Sequence, residues 1–136
     1  MKKHKQNALN VATNLRLDWC SHKAAKFAVE HWHYSKRMPV FKVLKIGVWE
    51  NDMFIGCVIF GLGSCRHIGK QFGLEQTAIC ELVRVALKQH RSNVTKIIKI
   101  AIALLYRRCP GLKMIVSYAD PEYGHVGTIY QAGNWL

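Results

Sequence analysis

Several groups of side chains in this sequence could carry chemistry. His31, His33 and Tyr34 lie together in HWHYSKRMP (31–39). On an extended backbone the two imidazoles share a face and could hold a metal or a phosphate; on a helix they do not. Arg84 interrupts an otherwise apolar run, LVRVAL (82–87). A guanidinium there must be paired or face a ligand, because burying it alone is costly. Strict alternation puts Glu81 on the other face, so a bridge to Asp120 and a ligand contact stay open for Arg84. The segment SYADPEYGH (117–125) gathers a hydroxyl, acids, phenols and an imidazole just past a predicted strand, where sites form in α/β sheets. Within it Asp120 suits a helix cap or a general base. Tyr130, Asn134 and Trp135 form a last cluster, for which an aromatic core anchor is the plainer reading.

The elements that must position these groups follow from periodicity. Asp18 to about His31 reads as a helix, with Ser21 as a cap and Ala24, Ala25, Phe27, Ala28 and Val29 largely on one side. Pro39 ends helical continuation. Strands follow at about Phe41–Glu50 and Met53–Gly61, with Asn51-Asp52 as a hairpin turn between them. Gly61–Gly73 reads as a loop and Ile79–Leu87 as a third strand. Asn93–Arg108 is the strongest helix, its apolar face set against Lys96, Lys99 and Arg107. Lys113–Ala119 reads as a fourth strand and His125–Ala132 as a short final helix. The strand–helix–strand piece 79–119 requires parallel strands. An α/β class results: a mixed, twisted sheet with helices on both faces.

Composition narrows the function classes. Twenty Lys+Arg against eight Asp+Glu leave a formal charge of +12 on 136 residues. Such an excess favours a polyanion, nucleic acid first, through counterion release. A hydrophobic fraction of 50% is globular, not disordered. The length suits one folded domain, 17–136, after a basic arm, 1–16. The longest apolar stretch is too short for a bilayer, and the start, MKKHKQNALN, lacks the apolar run of a secretory signal. No partner membrane is expected. The five cysteines show no Cys-x-x-Cys spacing and read as reduced thiols.

The succession HYSKRMP (33–39), FIGCVIFG (54–61), CELVRVAL (80–87) and PGLKMIVSYADPEYGHVGTIYQAGNW (110–135) resembles the Mom DNA-modification proteins of Mu-like bacteriophages, from about Asp18 onward. The resemblance implies a GNAT-like acyltransferase fold, here expected to lack the last two strands. It also implies an enzyme, a transferase converting adenine in double-stranded DNA to carbamoylmethyl (acetamido) adenine, which shields phage DNA from host restriction. His33, Tyr34, Asp120 and Tyr130 are then the expected catalytic residues, and Arg84 and Ser117 the cofactor or substrate contacts. Tyr130 would stand on the helix that follows the parallel strand. Lys36, Arg37, Lys42, Arg66 and Lys70 would bind DNA, and Trp32 or Trp135 would stack on a flipped base. The donor is an acyl or glycyl group, with acetyl-CoA among the candidates, and iron is a candidate metal. The Gly-rich pyrophosphate loop of GNAT enzymes is replaced here by KQHRSNV (88–94), which contains no glycine. Expected partners are duplex DNA and a second copy, and the expected location is the host bacterial cytoplasm. An inactive or truncated DNA-binding module and a conventional GNAT N-acyltransferase are the alternatives.

Overall fold

The computed structural model describes residues 14–62, 70, 71, 73–117 and 128–131. The chain runs β1 (Leu15–Trp19), α1 (His22–Trp32), β2 (Val43–Glu50), β3 (Met53–Leu62), a 3-10 turn (Gln76–Ala78), β4 (Ile79–Leu87), α2 (Val94–Arg108), β5 (Met114–Ser117) and β6 (Thr128–Gln131). The strands form a six-stranded sheet in sequence order. All neighbours are antiparallel except β4 and β5, which are parallel across α2, as the strand–helix–strand reading requires.

Alternation along β3 separates two cores. Val58 and Phe60 pack with Ile97, Ala101, Ile102 and Leu105 of α2. Cys57 and Ile59, pointing the other way, pack with Ala25, Ala28 and Val29 of α1. The two helices therefore cover opposite faces. The Ser21 hydroxyl caps α1, accepting from the Ala24 amide at 3.1 Å, and Asn93 Oδ1 caps α2 through the Thr95 amide at 2.7 Å. Asn51 and Asp52 have φ of 52° and 66°, which is the twist-matched turn a two-residue hairpin needs.

The sequence reading needs correction at both ends. Leu15–Trp19 is a strand and not arm or helix: Leu15, Leu17 and Trp19 are half-buried while Arg16 and Asp18 are exposed. It pairs with β2, and Asn14 exchanges hydrogen bonds with Asn51 at the hairpin tip. Thr128–Gln131 is a strand paired antiparallel to β5, where a helix was expected. Its Thr-Ile-Tyr core is rich in strand formers, and pairing with an open sheet edge satisfies its backbone.

The ladders also contain a bulge that alternation could not show. Ile59 pairs with Arg84 but its neighbour Phe60 pairs with Leu82, leaving Val83 as an extra residue in β4. Cys80 and Leu82 therefore face α2, whereas Arg84 and Ala86 turn to the α1 side. The expectation that Arg84 shares a face with Cys80 and Leu82, opposite Glu81, is overturned by this insertion.

Candidate active site

The bulge aims Arg84 at the turn that follows α1. There Arg84 Nε donates to the Arg37 carbonyl at 3.1 Å, and Nη1 donates to the Val83 carbonyl at 3.0 Å. Two of its five N–H groups are thus committed to backbone. Among the described residues no carboxylate forms an ion pair with it. A bridge to Asp120 cannot be read, since Asp120 lies outside the described residues.

His33 closes α1 at its C-terminus and is buried, at 8% exposure. Its Nδ1 accepts the Ser35 amide at 3.1 Å and lies 2.7 Å from the Ser35 hydroxyl. An Nδ1 that accepts an amide carries no proton, so the neutral ring holds its proton on Nε2. Burial first, and then the Arg84 charge, push its pKa down from 6.5 to about 4. At neutral pH His33 is an uncharged Nε2–H donor beside a fixed cation. It is too weak a base to take a proton efficiently there, but it can polarise a carbonyl or hold an anion.

The remaining expected residues are dispersed. Tyr34 is half-exposed, with its ring centroid 4.3 Å from that of His33. His31 does not join it: its Nδ1 lies 2.8 Å from the Phe27 carbonyl oxygen and its ring stacks on Phe27 at 4.0 Å. The His31/His33 pair is thereby split by the helix end. Ser117, one position past the last parallel pair, Glu81 with Val116, has the parity of Ile115. Alternation puts it on the α2 side, away from Arg84. Tyr130 stands on β6, paired with Ile115, and not on a helix. Lys36, Arg37 and Lys42 are exposed on one loop beside His33, and Lys70 is exposed elsewhere in the chain; Arg66 and Trp135 lie outside the described residues. Trp32 is not free to stack on a base. It packs against Phe27 and Phe54 with Lys88 Nζ 5.8 Å from its ring.

Comparison with known proteins supplies the frame for this geometry. The family model of the Mom proteins matches residues 14–136. The chain belongs to the Mom protein family. It is 26% identical over 125 residues to a protein named Methylcarbamoylase mom from Escherichia phage Mu, covering 89% of this chain and 52% of that relative. The chain thus spans about half the length of the curated relative it matches. Every described site residue falls inside the Mom match.

Two groups that a GNAT-like Mom protein would bring with it can be tested against these side chains. A coenzyme A pyrophosphate needs free amides at the start of the helix after β4. Here two amides of the loop just before that helix, and the Thr95 amide of its first turn, are taken, the last by the Asn93 cap. Glu50, at the end of β2, accepts from the amides of Arg91 at 3.2 Å and Ser92 at 2.8 Å, and from the Ser92 hydroxyl at 2.7 Å. Burial alone would raise the Glu50 pKa, but these bonds and the nearby His90 hold it below its usual value. The loop already holds its own anion, so it does not fit a pyrophosphate. For iron, no cluster of three or more His, Cys, Asp or Glu is placed to hold a metal among the described residues. With Nδ1 of His33 engaged by Ser35, only its Nε2 is left to face a ligand.

Neither Ser35, which fixes the His33 tautomer, nor Glu50 stood out in the sequence. Ser35 was legible in principle as a hydroxyl two residues past an imidazole. Glu50 was not, because its partners are more than forty residues away. No helix among the described residues is long and apolar enough to cross a membrane.

Proposed function

We propose that this protein modifies the exocyclic amine of adenine in double-stranded phage DNA, leaving a carbamoylmethyl group that blocks host restriction. The observation that carries the reading is the neutral His33 held beside Arg84, within the part of the chain that matches the Mom family. The strong positive charge supports a DNA substrate. The parallel pairing of β4 and β5 through only three residue pairs, with a bulge just beyond, supports a GNAT-like opening between them.

The chemistry constrains the donor. Acetyl transfer joins the amine to a carbonyl carbon, whereas a carbamoylmethyl group is joined through its methylene and ends in an extra nitrogen. A glycyl group has the required carbon and nitrogen inventory; an acetyl group lacks the nitrogen. The Glu50-filled loop agrees with a donor held other than by a pyrophosphate at the helix start. In this reading the adenine amine attacks the glycyl carbonyl and the donor's leaving group departs with a proton. The free glycyl amine then attacks adenine C6 and expels the original amine nitrogen as the terminal amide, so that no oxidant is needed. Arg84 holds the anionic part of the donor, and Nε2–H of His33 donates to the carbonyl oxygen as charge develops there in the first step. Asp120 takes or orients the amine proton, and Tyr34, whose ring centroid lies 4.3 Å from that of His33, flanks the site. The paired adenine must leave the stack to reach such a buried ring.

The test is to express this chain in a bacterium, digest its DNA to nucleosides and examine them by mass spectrometry. A carbamoylmethyl-deoxyadenosine peak that disappears with His33→Asn and Arg84→Met is the expected result. Unmodified DNA from folded protein favours the second reading, a DNA-binding module without activity. The filled loop and the match to only half of the Mu relative are what support that alternative.

A further inference from the structure

The segment between His33 and β2 leaves one apolar side chain entirely uncovered. Val40 is 101% exposed, as open as in an isolated peptide. Single exposed apolar residues are ordinary. The setting of this one is not. Its neighbours are anchored: Met38 packs against the α1 core, and the Phe41 ring, 37% exposed, lies on Gly61 so closely that a Cβ there would be 2.4 Å from Cε2. Backbone bonds fix the segment from both sides. Arg84 holds the Arg37 carbonyl, Leu62 donates to the Lys42 carbonyl at 3.1 Å, and Lys36 donates to the His33 carbonyl at 3.1 Å with its own φ at 53°. Pro39 restricts the residue just before the tip. A fixed loop thus projects a bare valine, with Lys36, Arg37 and Lys42 exposed around it.

We propose that this loop is a DNA wedge: Val40 enters the base stack while Lys36, Arg37 and Lys42 hold the flanking phosphates. Apolar side chains inserted between base steps unstack them, and cations on either side position the backbone. Val40 lies three residues after Arg37, whose carbonyl Arg84 holds, so the wedge places the displaced base on the side of the His33–Arg84 pair. The inference rests on the proposed DNA substrate and adds the residue that opens the helix.

The experiment uses the full chain and short duplexes carrying 2-aminopurine at successive positions, with binding followed by anisotropy over a salt series and unstacking by fluorescence. Wild-type protein should bind with a salt-dependent affinity and raise the fluorescence at one or two positions. Val40→Ser should keep the affinity within about twofold, since phosphates carry it, yet lose most of the fluorescence rise. Val40→Leu should retain the rise, which separates loss of a wedge from loss of fold. Lys36→Ala with Arg37→Ala should weaken binding and flatten the salt slope. A Val40→Ser protein that unstacks bases like the wild type overturns the wedge and leaves the DNA reading intact. A wild-type protein that binds duplex without any fluorescence rise does the same. A folded wild-type protein that binds no duplex overturns both.

Discussion

Protonation of His33 should cost this protein stability in a defined pH window. Its pKa falls from 6.5 in an ordinary chain to about 4 in the fold, because burial and then the Arg84 charge oppose a second cation. A depressed folded pKa means that the unfolded chain binds the proton first as pH drops. The stability contributed by a neutral His33 is therefore whole above 6.5 and is lost progressively as pH falls from 6.5 towards 4. At about 1.4 kcal/mol per pKa unit the difference is at most about 3.5 kcal/mol, and relaxation of the turn around the new charge should reduce it to about 1–2 kcal/mol. Other histidines titrate in the same range, so the measurement is a difference. Urea unfolding of wild type and His33→Asn should be compared above pH 6.5 and near pH 4. Asparagine keeps an acceptor for the Ser35 amide but no titrating ring, so the wild type should lose about 1–2 kcal/mol more than the variant over the window. Parallel losses would refute the reasoning. An NMR titration of the ring adds a second check: Arg84→Met should raise the His33 pKa without restoring 6.5, since burial is the larger cause.

Other perturbations give further expected outcomes. Gly56→Ala should prevent folding, because φ is 149° and a Cβ would lie 1.9 Å from the Ala86 carbonyl oxygen; circular dichroism of purified protein decides it, and a folded variant would be contrary to the β3–β4 contact. Gly61→Ala should cost roughly 1–3 kcal/mol in denaturant unfolding by displacing the Phe41 ring, with an unchanged midpoint as the contrary result. Glu50→Gln should destabilise by about 1–2 kcal/mol, as an amide replaces a carboxylate that gathers the Arg91 and Ser92 donors; unfolding midpoints measure it, and no loss would mean the loop is not held by this charge. The thiols of Cys20 and Cys57, raised by burial to about 11 and about 12, should resist iodoacetamide at mildly alkaline pH in native protein. Peptide mapping that finds either one alkylated before unfolding would contradict their burial.

Much of this fold was legible because its periods are plain. Asn51-Asp52 between two apolar runs marked the hairpin, and the three-to-four-residue spacing from Val94 to Leu105 marked α2. Ser21 and Asn93 act as the caps their residue types suggest. What failed did so for identifiable reasons. LRLDW alternates as a strand should, but a five-residue edge strand beside a basic arm has little weight until β2 offers it a partner. TIYQ was absorbed into a helical pattern that its own β-branched and aromatic residues opposed. At the site, His33, Tyr34 and Arg84 were found by residue type and by resemblance. The relation that makes them a site was not legible, because it depends on one inserted residue in β4 registered against β3.

That insertion links fold to chemistry. Had the ladder run through Val83 in regular alternation, Arg84 would face α2, among Phe60, Leu82 and Leu105, where an unpaired cation costs several kcal/mol. With the bulge, the guanidinium reaches the Arg37 carbonyl, fixes the turn after α1 and adds its charge to the burial that keeps His33 neutral. The same bond holds the loop from which Val40 projects. The placement of Arg84 therefore contributes both to the protonation state of the imidazole and to the posture of the proposed wedge loop. Arg84→Met should disturb both at once, raising the His33 pKa and reducing base unstacking. Deleting Val83, by contrast, restores plain alternation, leaves Arg84 opposite Ile59 on the α1 face and should keep the His33 pKa low. An Arg84→Met protein that moved only one of the two would show that Arg84 does not couple them.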